Sequence, residues 1–503
     1  MRALLGLASI SGVAVLASMA ACGSDGGGTV GNATGGVGAT DGGGGASATG
    51  GTGGSIEIKC TAGAVQCSGD IPQSCQINGQ WVSSAPCPFT CVNGECAGSC
   101  KPGTTQCKYN KVQTCGTSGE WEGLSDCEFG CNAGACKTSC VAGEFNCYGN
   151  EIRQCDPGPP SKWVPKSPAT VCAATSGQKC DQATGTCKTV PVVGTSTPTG
   201  KYYQFATFKQ VSLGTPGFQG GYDVTSWGEY VYVNRSAQYL DVYKITLLDS
   251  DGDGELEPNQ HPDNPDATGP IEERTIELVK TYAKAADFAP LGSASQSSLH
   301  AQSNDKIFSL GPTHNGAISE YVFATGAVAV AVQPVAATGM SFLGWGFADS
   351  TWYAGNEGAR RVYSYHVPTK SWVVEFGYPD MAGSHMDGLE VVVSPKTKEQ
   401  YVYVSDMTSD FIGQYRRDDN GGWVQEKLYE YNDATKSMIE GFGFGTLNHF
   451  WGTGGAYLYE LGGGDIQKDL DPCPNGKQAC GAGLPQCSAG NYCKAGCCAK
   501  GVR

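Results

Sequence analysis

Between Lys201 and Asp465 the hydrophobic pattern has the short period of strands: apolar and aromatic runs of three to five residues, broken by polar turns and glycine. One unit returns, an apolar strand, a tight polar turn, then a strand ending in tyrosine. It occurs at Tyr230-Val-Tyr-Val233 with Leu240-Asp-Val-Tyr243, Ile307-Phe-Ser309 with Ile318-Ser-Glu-Tyr321, and Trp352-Tyr-Ala354 with Val362-Tyr-Ser-Tyr365. It continues at Tyr401-Val-Tyr-Val404 with Phe411-Ile-Gly-Gln-Tyr415 and at Phe450-Trp451 with Tyr457-Leu-Tyr459. From Tyr321 onward the terminal tyrosines lie 44, 50 and 44 residues apart, a period that suits a four-stranded propeller blade. The pattern predicts an all-β domain over 201–465, a β-propeller of five blades with six left open and a β-sandwich as the competing architecture. The opening stretch Tyr202-Tyr-Gln-Phe-Ala-Thr-Phe208 is a candidate to pair after Leu461 and close the ring.

The rest of the chain is patterned by cysteine and glycine. Cys60, Cys67, Cys75, Cys87, Cys91 and Cys96 recur with the same gaps as Cys100, Cys107, Cys115, Cys127, Cys131 and Cys136. A third copy, Cys140, Cys147, Cys155, Cys172, Cys180 and Cys187, keeps the first gaps and stretches the others, and Trp81, Trp121 and Trp163 hold the same place in each. Three six-cysteine modules over 55–190 result, each too small to fold by apolar burial alone. No histidine precedes His261 and no paired C-x2-C knuckle occurs, so disulfides are expected rather than zinc, with fifteen pairings open per module. Residues 188–200 read as a Pro/Thr/Val linker. Cys473, Cys480, Cys487, Cys493, Cys497 and Cys498 form a further knottin-like block over 470–503.

At the N-terminus a basic start and an apolar run over 1–21 end in Met19-Ala20-Ala21-Cys22, which reads as a signal peptide. Between Gly23 and Gly54, 16 of 32 residues are glycine, the composition of a flexible tether over 22–54 with a reach of about 30 Å. The net charge of −15 and the absence of a basic run argue against a nucleic-acid partner.

Two sites stand out. Asp249-Ser-Asp251-Gly-Asp253-Gly254-Glu255-Leu-Glu257 places carboxylates at alternate positions with a glycine for the sharp turn, the donor set of a Ca²⁺ loop. Gln260 stands at the twelfth position, so a compact loop closed by Glu257 is expected, structural in role and on the face away from the channel mouth. At that mouth the register gathers Tyr222, Asp223, Arg235, His300, His314, Trp345, Asn356, Arg360, Arg361, His385, Asp387, Asp406, Asp410 and Glu440. Taken together, cations, imidazoles and aromatics suit an anionic aromatic ligand. Each alone also suits a core or solvated position.

Cys22 after two alanines resembles the lipobox of bacterial lipoproteins, with Met19 where leucine is commoner. That resemblance implies acylation of Cys22 and, with Gly23 following, an outer-membrane address. The cysteine repeats resemble those of myxobacterial surface lipoproteins. His385-Met-Asp-Gly-Leu-Glu390, Tyr401-Val-Tyr-Val-Ser-Asp406 and Glu440-Gly-Phe-Gly-Phe-Gly-Thr-Leu-Asn-His-Phe-Trp451 mark a central domain that looks like the lipoprotein family encoded beside myxochelin siderophore genes. It implies capture of a ferric catecholate for iron uptake, with an outer-membrane receptor as partner. Contacts are expected from Tyr222, Arg235, Trp345, Arg360 and Arg361, with His314, His385, Asp387 and Glu440 completing the site. The same segments are similar to calcium-dependent propeller phytases and lactonases, which implies a hydrolase using Asp387 and Glu440. A structural or adhesion protein built on the cysteine modules is the third reading.

Overall fold

The computed structural model describes residues 60–494 and 497–500, apart from 237, 255, 266, 288–297, 311–316, 333–339, 341, 347–348, 357, 381–385, 395–398, 407–409, 419–420, 432–438 and 463–490. Cys22, the signal segment and the tether lie outside these residues. So do His314, His385 and Glu255, and Cys473, Cys480 and Cys487 of the C-terminal block.

The central domain is a five-bladed propeller, the lower of the two blade counts left open. Blade one runs Asp223–Trp227, Tyr230–Asn234, Tyr239–Leu247 and Arg274–Ala283. Blade two comprises Ser298–Ser303, Lys306–Leu310, Ile318–Val322 and Ala327–Val332. Blade three comprises Phe342–Gly346, Thr351–Asn356, Arg361–His366 and Ser371–Gly377. Blade four comprises Gly388–Val393, Gln400–Asp406, Phe411–Arg417 and Trp423–Glu430. Blade five has three consecutive strands, Gly441–Phe444, Phe450–Thr453 and Tyr457–Gly462, and takes its outermost strand from Tyr203–Lys209. That strand pairs antiparallel with Tyr457–Gly462, so the start of the domain closes its end.

Each blade packs on the next through one apolar cluster, five clusters for five contacts. The recurring tyrosines serve them: Tyr243, Tyr321, Tyr365, Tyr415 and Tyr459 are all buried at these junctions. A side chain of that size contributes about 1.5–3 kcal/mol when fully buried. Between the innermost strands of blades five and one the backbones also approach closely. A Cβ built on Gly443 would lie 2.6 Å from Thr225 Cα and 2.7 Å from the Val224 carbonyl.

Around the channel, side-chain oxygens of one blade accept backbone amides at the inner edge of its neighbour. The Ala301 amide donates to Thr225 Oγ1 at 2.9 Å, Leu343 to Ser298 Oγ at 3.0 Å, Phe444 to Glu390 Oε2 at 3.2 Å and Thr446 to Ser226 Oγ at 3.0 Å. The Leu299 amide donates to Asp223 Oδ2.

The cysteine modules share one pairing. Cys60–Cys75, Cys67–Cys91 and Cys87–Cys96 repeat as Cys100–Cys115, Cys107–Cys131 and Cys127–Cys136. Cys140–Cys155, Cys147–Cys180 and Cys172–Cys187 follow the same first-to-third, second-to-fifth, fourth-to-sixth order. Each module is a three-stranded sheet followed by a small hairpin. In the second, Tyr109 and Asn110 form the two-residue turn with φ of 53° and 64°, the conformation a tight hairpin demands. The expected linker is instead a strap along the propeller. Val193 donates to the Gly377 carbonyl at 2.7 Å, Thr199 to Leu428 at 2.8 Å, and Gly200–Lys201 pairs parallel with Trp423–Glu430.

The segment between the third and fourth strands of blade one is bound to blade five by a buried polar network. Arg274 grips Glu460 with Nε to Oε2 at 2.9 Å and Nη2 to Oε1 at 3.2 Å, both side chains fully buried. His449 Nδ1 lies 2.5 Å from Glu460 Oε1 and its Nε2 lies 2.7 Å from Asn259 Oδ1. Burial works to raise the Glu460 carboxyl, but His449 and Arg274 outweigh it and hold it low. Burial also depresses His449, against the pull of Glu460.

Two outcomes follow. Gly443→Ala lowers stability by about 1–3 kcal/mol, because a backbone cannot rotate away from the added methyl, and the shift is read from the urea midpoint of tryptophan fluorescence. The depressed groups His449, His366 and His261 bind protons more readily unfolded than folded. Their contribution is complete above the ordinary histidine value of about 6.5 and is lost as pH falls below it, opposite in sign to that of the raised carboxyls Asp223, Glu440 and Asp410. The test is therefore a difference: between pH 7 and pH 5 the melting temperature of the wild type shifts downward relative to that of His449→Gln, which cannot titrate at this position.

Candidate functional site

The direction of the strands defines the two ends of the ring. Innermost strands start, and second-to-third connections cross, at the leading end. There the structure places Tyr222, Asp223, Arg235, Asn356, Arg360, Arg361, Asp387, Asp406, Asp410 and Glu440, as the sequence reading expects.

Trp345 is a correction. It is the fourth residue of Phe342–Gly346 and pairs with Trp352 beside the hairpin turn, whereas Arg361 pairs with Asn356 at the other end of the same sheet. Its indole packs edge-on to Trp352 at 4.8 Å. His300 lies within the channel, with Nδ1 3.2 Å from Glu390 Oε1, and lines a 240 Å³ cavity with Trp227 and Phe444 at the trailing end.

The arginines of the mouth are a second correction, because each is engaged elsewhere. Arg235 Nε is 2.6 Å from Asp241 Oδ2, and its guanidinium lies over Tyr239. Arg360 meets Asp380 at 2.7 Å. Arg361 turns outward and donates to the Thr175 carbonyl of the third cysteine module at 3.1 Å. Asn356 caps its own turn by accepting the Ala359 amide.

The rest of the mouth is acidic. Burial raises Asp223 well above the carboxylate range although it accepts backbone amides, and burial also raises Glu440 and Asp410, the latter helped by Asp406. Tyr378 and Tyr431, both buried, are pushed up by burial and then by Asp406 and Asp387. Lys284 is lowered to about 8 by burial, against Asp223, and donates to Asn234 Oδ1.

The second and third cysteine modules lie against blades three and four, the second at the trailing end and the third along the outer edge of blade three as far as Arg361. Lys108 Nζ meets Glu399 at 2.8 Å, Lys179 meets Glu375 at 2.6 Å, and Asn150 donates to the Trp372 carbonyl at 2.9 Å. Glu375 is the hub. It also receives Arg417 at 3.0 Å, Ser364 Oγ at 2.5 Å and Trp423 Nε1 at 3.1 Å. Burial opposes its charge, but Arg417 and Lys179 overcome this and hold it far below the usual range.

Beside this hub is a 220 Å³ cavity lined by Lys108, Tyr109, Trp121, Asp349, Arg417 and Trp423, among others. Burial, with Glu399, pushes the Tyr109 phenol up to about 12. It adjoins an 1150 Å³ cleft through Gly123, Leu124 and Asp349, and that cleft is walled by Tyr148, Trp163, Tyr365 and His366. Sequence reasoning counted the repeated tryptophans as module signature. The signal for this site was their recurrence at one position on small, solvent-facing modules.

In the loop, the carboxylate oxygens of Asp249, Asp251 and Asp253 lie within 4.8 Å of one another, all exposed. Gly252 and Gly254 take φ of 80° and 89°, as the sharp turn requires. The loop follows Leu247, which pairs with Arg274 at the trailing end, away from the mouth as expected. Glu257 does not close the group. Its amide donates to Glu272 Oε2 at 2.5 Å and its carboxylate accepts from Gln260.

No protein-family profile matches the chain, and no curated protein does. Among solved structures it is similar to the glutaminyl cyclase of Myxococcus xanthus, at 9% identity and a TM-score of 0.30, over 52% of this chain and 95% of that one. It is also similar to the WD40 β-propeller domain of Doa1, at 8% identity and a TM-score of 0.27, over 53% of this chain and 98% of that one. The strand pairing defines the class by itself: a five-bladed propeller, here with disulfide modules packed against blades three and four.

Proposed function

We propose that the protein is an exported, membrane-tethered binding protein whose ligand occupies the cleft between the cysteine modules and the trailing face of blades three and four. The observation that carries the reading is the cavity where Tyr109, Trp121 and Trp423 converge, bordered by Lys108 paired with Glu399 and Arg417 paired with Glu375. Ring faces for stacking suit a planar aromatic ligand, and negative oxygens on it would share the two cations with Glu399 and Glu375. Ferric catecholates, the ligands implied by the resemblance, belong to that class. The 220 Å³ cavity has room for one catechol-sized ring, and the adjoining 1150 Å³ cleft has room for the remainder of a chelate. Nine disulfides among the described residues support an oxidising compartment, in keeping with export and acylation at Cys22. Delivery to an outer-membrane receptor would complete iron uptake.

The acidic mouth favours a second reading, a calcium-dependent hydrolase working through Asp387 and Glu440. Against it, Asp249, Asp251 and Asp253 are the one group of three carboxylates within 4.8 Å among the described residues, and they lie at the other end of the ring. Binding is therefore the preferred reading.

Titrating the protein with ferric and metal-free catecholates gives saturable quenching of tryptophan fluorescence. Trp121→Ala weakens it up to about tenfold, the size of one lost aromatic stacking contact. No saturable change with either ligand rejects the proposal. Calcium-dependent turnover of inositol phosphates or lactones that is abolished in Asp387→Ala would establish the hydrolase instead.

A further inference from the structure

The exposed Asp249, Asp251 and Asp253 do not stand alone. Glu272, at the far end of the same insertion, is 1% exposed, and its Oε1 has no hydrogen-bond partner while Oε2 holds the Glu257 amide. Glu273 beside it donates its amide to Ser250 Oγ at 2.7 Å and accepts the Leu248 amide at 2.9 Å, which sets Glu272 next to the aspartate loop. A buried, half-satisfied carboxylate beside a cluster of like charge calls for a cation. The residue is continuous with the seam of the ring. The Glu272 carbonyl accepts Arg274 Nη1 at 2.5 Å, Pro258 accepts Nη2 at 2.6 Å, and the same guanidinium grips Glu460 of blade five.

We propose that Asp249, Asp251, Asp253 and Glu272 together bind one Ca²⁺, and that its binding fastens the insertion of blade one to blade five through Arg274 and Glu460. Glu272 lies outside the 4.8 Å group, so it enters the coordination shell by closing toward the loop or through one bound water. Four carboxylates with carbonyl and water oxygens meet the six to eight ligands that Ca²⁺ takes in flexible geometry. Mg²⁺ demands a stricter octahedron. The negative charge of Glu272, costly while buried with one oxygen unsatisfied, is then neutralised. The insertion that carries Arg274 into the seam is held at both of its ends. This inference is independent of the ligand cleft, which lies on blades three and four.

Isothermal titration of chelator-treated protein with CaCl2, together with thermal melting followed by tryptophan fluorescence, tests it. Trp451, fully buried at the junction of blades five and one, makes the melt sensitive to the seam. The expected result is one saturable site and a melting temperature that rises with calcium, by the amount that binding to the folded state alone predicts. Glu272→Gln retains an acceptor for the Glu257 amide and weakens calcium binding at least tenfold. Asp251→Asn, an exposed change that leaves the fold intact, does the same and serves if the first variant folds poorly.

The absence of saturable binding to the wild type overturns the site. Unaltered affinity in folded Glu272→Gln removes Glu272 from it. Binding that leaves the fluorescence melt unmoved refutes the link to the seam.

Discussion

A propeller arranges its sheets radially, so every innermost strand presents an edge to the channel with no further strand to bond it. Buried amides left without acceptors are costly, and here the neighbouring blade supplies them from Asp223, Thr225, Ser226, Ser298 and Glu390. This constraint explains why the channel is polar and why carboxylates gather at its mouth. Asp223 is as much a rivet between blades as a candidate ligand group. The outer edges obey the same rule. The strap at 191–201 covers blades three and four, and Tyr203–Lys209 covers blade five.

Closure concentrates on the junction of blades five and one. Glycine brings the inner strands together at Gly443, the borrowed strand pairs at the rim, and the Arg274–Glu460–His449 network ties in the insertion. A buried ion pair of this kind adds little net stability over an apolar contact, but loss of one partner leaves an uncompensated charge.

The modules and the propeller meet through charges and aromatics rather than a continuous apolar face. Glu375, held ionised by Arg417 and Lys179, joins the third module to blades three and four. Lys108 and Glu399 do the same for the second module. Interfaces of this composition leave gaps, and the aromatic cavity beside Glu375 is one of them.

The blade period, the ring-closing strand, the module boundaries and the loop at 249–253 were legible because each is a local pattern: alternation, repeat spacing, or donors placed a few residues apart. The pairing of the cysteines was not, since spacing does not reveal which sulfurs face each other. Nor was the fate of Arg235, Arg360 and Arg361, which depended on carboxylates and carbonyls brought near by the fold, one of them 186 residues away in sequence. Trp345 was misplaced because the sequence indicates which face of a strand a side chain occupies but not how far along the strand the channel mouth lies. Linear sequence thus determined the elements and their order. Tertiary packing decided which charges remain available, since that depends on distances between residues remote in the chain.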